Sequence, residues 1–143
     1  MTMISLKAKY AAISIIAVIS ILAFMPECLA FPKRPVPERL VNDYAGIFSQ
    51  RQAVSLERAL VAFDDSTSNQ IAVVTVTDLE GYSAMEYATQ IGLDWKIGSE
   101  KFDNGVVLLI KPKTSESKGQ VAISVGYGLE GAITDAYSKR IIE

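Results

Sequence analysis

The sequence predicts an α/β protein, a three-layer α/β/α sandwich around a mixed, partly parallel sheet. Three observations carry this. The runs IAVVTV (71–76) and VVLLI (106–110) are continuously apolar and rich in β-branched residues, as strands covered on both faces are. A helix-patterned segment separates them, and a connection that long makes the pair parallel with a right-handed crossover. A third strand, QVAISV (120–125), follows VVLLI through a polar loop of about nine residues with no helix in it, which implies an antiparallel partner.

The elements fall in order. MTMISLKAKY is basic, residues 11–25 form an uncharged, mostly apolar run interrupted only by Ser14 and Ser20, and PECLA ends on the small residue Ala30. That pattern reads as a secretory signal peptide over 1–30. The alternative is an uncleaved anchor, although a membrane helix wants about 20 residues. FPKRPVPERL (31–40) is a proline-rich linker, expected to be stiff. The domain then occupies 41–143. VNDYAGIF is a short strand or turn. Ser49 and Gln52 make a capping box, and Ala53, Leu56, Leu60 and Phe63 share one face of the helix behind it. DDSTSN ends that helix. Ser83 and Glu86 make a second capping box for a helix reaching about Trp95. A last helix starts near Thr134.

Composition excludes several chemistries. Residues 31–143 carry 12 Lys and Arg against 15 Asp and Glu, a net −3 that gives no drive toward nucleic acid. The chain has no histidine, which removes His-based triads and the commonest general base near neutrality. Its one cysteine, Cys28, lies in the leader, so the domain has neither disulfide nor thiol nucleophile. Any chemistry rests on carboxylates, amides, hydroxyls or a bound metal.

SVGYGLEGAITD (124–135) spaces Gly126, Gly128 and Gly131 as G-x-G-x-x-G. A dinucleotide fingerprint belongs in the first βαβ unit, with an acid about 20 residues on at the end of the next strand. Here no strand follows, and Glu130 inside the loop would repel a pyrophosphate. Two readings remain. The glycines can allow positive φ angles in a tight strand-to-helix turn. They can also let carbonyls and carboxylates face a hard cation such as calcium, which takes six to eight oxygens and needs no histidine.

The expected topology favours looking at one rim. Where the two parallel strands begin and the third ends, Asp103, Asn104, Glu130 and Asp135 converge. Three carboxylates on one rim repel without a counter-ion. Each also has a plainer role: Asp103 in D-N-G as a turn residue, Asp135 as a helix cap, Glu130 as a solvated side chain. Trp95 and Tyr127 read as packing residues. The opposite edge, with Asn42, Asp43, Thr77, Asp78, Glu80 and Tyr82, is the competing site, since open α/β sheets bind ligands at strand carboxyl ends.

In order and spacing, VNDYAGIFS, QIAVVTV, EYATQIGLDWKIG, DNGVVLLI and SVGYGLEGAITD resemble the TPM domain family. That resemblance implies an α/β/α fold on the outer side of a membrane. It also implies calcium or similar metal binding and, in some members, weak acid phosphatase activity. By motif the family's signature acids fall on Asp43, Asp103 with Asn104, Glu130 and Asp135, which adds Asp43 to the residues the topology gathers. The expectation is an exported, periplasmic or extracellular module that binds Ca2+ or another divalent cation such as Mg2+. It would dock on a protein partner at the membrane, in membrane-protein maintenance or repair. A metal-assisted phosphatase of low activity is the alternative, with Lys96 and Lys101 the nearest cations in sequence. A purely structural domain is the third reading. Neither nucleic acid nor a dinucleotide is an expected partner.

Overall fold

The computed structural model describes residues 31–143, and the expected signal peptide lies outside them. Four strands form one sheet in the order β1-β2-β3-β4: β1 (Val41–Asp43), β2 (Gln70–Thr75), β3 (Gly105–Lys111) and β4 (Gln120–Val125). β1, β2 and β3 are parallel and β4 is antiparallel to β3, giving the mixed sheet expected from the apolar runs and loop lengths. The sheet is flanked by α1 (Gln50–Thr67), α2 (Ala84–Asp94) and α3 (Asp135–Ile142). No helix among the described residues is long and apolar enough to cross a membrane.

Both capping boxes form. The Ser49 and Ser83 hydroxyls accept from the N–H groups of Gln52 and Glu86, whose side chains reach back to the cap N–H. α1 ends where Ser68 turns left-handed at φ 59°.

Strand alternation divides the core in two. Val74, Val107, Leu109 and Ala122 share a face with the α2 stripe of Ala84, Tyr87, Ala88 and Ile91, closed by Trp95. On the other face lie Val41, Val73 and Thr75, beside α1. α1 buries no residue fully: Ala53, Leu56 and Leu60 are half-covered, and Phe63, expected on that face, is exposed. The helix instead holds the sheet by polar contacts. The Glu57 carboxylate accepts from the backbone N–H of Leu40 at 3.0 Å and of Val41 at 2.7 Å, and so fixes the entry of the short strand β1.

The start of the proline-rich segment is docked on the domain. The Phe31 ring lies 5.0 Å from that of Tyr82 and 4.8 Å from that of Tyr87. The Trp95 indole N–H donates to the Pro32 carbonyl at 2.7 Å. A buried indole needs an acceptor, and here the incoming chain supplies it.

Lys111 is the one buried cation on the sheet among the described residues. Its ammonium donates to the Ser117 hydroxyl at 2.5 Å and the Lys118 carbonyl at 3.2 Å, folding the β3–β4 loop back onto β3.

Candidate functional site

β2 and β3 begin, and β4 ends, at one edge of the sheet. Residues 103–105 and 126–135 therefore lie side by side. Their backbones are in direct contact: Gly126 N–H donates to the Gly105 carbonyl at 2.8 Å and Gly128 N–H to the Asp103 carbonyl at 3.1 Å. A Cβ on Gly126 would collide with the carbonyl oxygen of Asp103, and one on Gly128 with that of Phe102. Gly126 sits at φ −70°, and neither Gly128 nor Gly131 is left-handed. The glycine spacing thus reflects close backbone approach, and the expectation of positive φ angles is corrected. The left-handed residue is across the contact, Asp103 at φ 45°.

The loop continues through a 3-10 turn, Tyr127–Leu129, into α3. Thr134 is the N-cap of that helix, its hydroxyl accepting from Tyr137 N–H at 3.3 Å. Asp135 is therefore not the cap; it sits in the first turn, where the helix dipole favours an anion. Tyr127, expected to pack, is 80% exposed.

Asn104 is buried, and its amide is engaged. Nδ2 donates to the Ser68 carbonyl and to Asn69 Oδ1, while Oδ1 accepts from Ser99 N–H at 2.9 Å. It ties the α1–β2 turn to the loop before β3. The Asp103 side chain is exposed beside it.

Glu130 and Asp135 line a cleft of about 560 Å³. One wall is α2, through Met85, Thr89 and Leu93. The floor is four successive β4-end residues, Ile123 to Gly126. No Lys or Arg lines it, and none of the ion pairs among the described residues engages Asp103, Glu130 or Asp135. Asp103 stands outside the cleft lining. Among the described residues, no three Asp, Glu, Cys or His side chains gather round one point. Sequence reasoning missed the α2 wall. Its signal was a second stripe, Met85, Thr89 and Leu93 at i, i+4 and i+8, offset from the core stripe.

Asp43 is at the other end of the sheet. It pairs in register with Thr75, the last residue of β2, a strand length or about 20 Å from the rim just described. Its carboxylate accepts from the Thr75 hydroxyl, from Ile47 N–H at 3.0 Å and from Phe48 N–H at 2.8 Å, and so shapes the turn into α1. Desolvation raises the Asp43 pKa, but the bonds from Thr75, Phe48, Ile47 and Gly46 together outweigh it and leave the group below its ordinary 3.8. A depressed folded pKa contributes stability above the unfolded pKa and loses it as pH falls through the folded value. Acid titration of the wild type is expected to show a stability loss beginning near pH 4, part of which disappears in Asp43→Asn. Identical pH profiles for the two would refute this role.

Near that end of the sheet, Tyr82 is occupied by the Phe31 contact, and the Asp78 carboxylate accepts from Glu80 N–H at 2.6 Å.

The TPM domain family matches residues 41–143, well over half of the chain. The chain belongs to the TPM domain family. Two solved structures share the fold of this TPM domain. The N-terminal domain of a P. gingivalis protein is 32% identical with a TM-score of 0.62, over 73% of this chain and 64% of that one. The N-terminal domain of the Corynebacterium glutamicum protein cg2496 is 21% identical with a TM-score of 0.54, over 81% of this chain and 64% of that one. The chain thus spans 64% of the length of each relative. No protein of curated function matches it.

Proposed function

We propose that this TPM domain is an exported divalent-cation-binding module, for Ca2+ or Mg2+, that docks on a protein partner at the membrane. The observation that supports it is the cleft itself: two carboxylates on a wall without basic residues, set by a loop locked backbone to backbone onto the start of β3. With no three carboxylates together, an ion here takes most of its oxygens from carbonyls, hydroxyls and water. Such a site is weak, with an expected Kd of about 10⁻⁴–10⁻³ M, the range of extracellular calcium modules.

The test is a calcium and magnesium titration of the amide spectrum. Saturable shifts at 103–105 and 126–135 are expected, lost in Glu130→Gln with Asp135→Asn. An unmoved spectrum up to about 10 mM metal would rule the reading out.

The phosphatase reading ranks second. A phosphate ester needs positive charge, and here the metal would supply all of it. Lys96 pairs with Glu100 at 3.1 Å and Lys101 lies over the Phe102 ring, so neither faces the cleft. If that reading holds, Glu130→Gln with Asp135→Asn abolishes phosphate-ester hydrolysis, while Asp103→Asn, outside the cleft lining, leaves most of it.

A further inference from the structure

The cleft floor has a property that carboxylates do not explain. β4 is an edge strand, with β3 on one side and no strand on the other among the described residues. In an antiparallel pair, alternate residues turn their N–H and C=O toward the partner. Gly126 N–H donates to Gly105. The register then points Ser124 and Ala122 at β3, opposite Val107 and Leu109, and turns the backbone groups of Val121, Ile123 and Val125 away from β3. On that side α3 also contacts β4, and Val121 is exposed, Val125 half-buried and Ile123 buried. Ile123 and Val125 line the cleft. A row of free strand donors and acceptors is a template for another strand.

The walls suit the same occupant. Met85 and Leu93 are exposed, at 45% and 67%, and face the cleft on either side of Thr89. They offer apolar contact at one level of the groove. Glu130 and Asp135 sit at its other wall with no basic residue among the lining. Their charge calls for a positive group on whatever enters.

We propose that the TPM domain binds an extended peptide by strand addition to the open edge of β4. The peptide pairs with Ile123 and Val125, sets apolar side chains against Met85 and Leu93, and places a lysine or arginine beside Glu130 and Asp135. Main-chain bonds supply the affinity, and the wall residues select the side chains. The inference rests on reading this edge as a docking surface but does not require a metal there.

The probe is a blocked hexapeptide alternating valine and threonine with lysine at one end, added to the full chain in mild detergent. The readout is amide hydrogen exchange. At ten times its Kd the peptide slows exchange at Ile123 and Val125 about tenfold. Ser124 N–H, already bonded to β3, does not change. The same peptide N-methylated at alternate residues gives no protection, which tests the pairing without altering the protein. Glu130→Gln with Asp135→Asn weakens the lysine peptide at least about fivefold and leaves its glutamine analogue unaffected.

Unchanged exchange at Ile123 and Val125 with saturating peptide overturns the proposal. So does protection that appears without peptide and rises with protein concentration, because a second copy then holds the edge. Silence in the calcium titration alongside peptide protection sinks the cation reading only. Saturable calcium shifts without peptide protection sink strand addition only.

Discussion

Trp95→Ala is expected to lower the unfolding free energy by about 3–5 kcal/mol, the largest effect of any single change considered for this domain. Trp95 is 1% exposed and closes the core between α2 and the sheet, so truncation leaves a cavity that Ile91 and Val107 cannot fill. The substitution also removes the donor to the Pro32 carbonyl. Since domains of this size are stable by only about 5–15 kcal/mol, the change removes between about a fifth and all of that margin. Trp95→Phe separates the two contributions. It keeps most of the volume and loses the hydrogen bond, for an expected cost of about 1 kcal/mol. Urea denaturation followed by circular dichroism measures both. A Trp95→Ala midpoint within about 0.5 kcal/mol of wild type would mean that the core is not built around this ring.

Gly128→Ala is the second large effect, about 2–4 kcal/mol. The new methyl meets the Phe102 carbonyl oxygen, a backbone atom that cannot rotate away. Gly131→Ala is the control. Nothing lies within 4 Å of a Cβ there and its φ is not left-handed, so the change is expected to stay within about 0.5 kcal/mol. Equal costs at the two positions, by the same denaturation assay, would refute the account of Gly128 as a close-approach residue. The wild-type spacing G-x-G-x-x-G would then need another reason.

The sheet was legible because its signals are local. IAVVTV and VVLLI announce buried strands, Ser49 and Ser83 announce helix starts, and loop length alone separates parallel from antiparallel neighbours. The site was less so, because what sets it is contact between distant backbones. Nothing about Gly126 or Gly128 in the sequence says whether a positive φ or a nearby carbonyl demands glycine. Asn104 read as a rim residue and is buried, its amide turned to Ser68, Asn69 and Ser99. Asp43 entered through motif resemblance and lies at the far end of the sheet, where the topology had put it. Asp103, Glu130 and Asp135 do share an edge, but only the last two line the cleft. The α2 wall was hidden for a simpler reason. Met85 and Leu93 are apolar, and a hydrophobic residue on an amphipathic helix is first assigned to the core.

The β3–β4 hairpin has a further consequence for how the fold is assembled. Eight residues, 112–119, connect those strands, whereas 29 residues, 76–104, separate β2 from β3. Loop-closure entropy grows by about 0.6 kcal/mol per doubling, so joining the parallel pair costs about 1 kcal/mol more than closing the hairpin. The part of the molecule that forms the cleft floor is thus the part whose assembly depends least on distant chain. Lys111, clasping Ser117 and Lys118, shortens the effective loop again. The N-terminal half, with β1 held through Glu57 and Asp43, bears the longer closures.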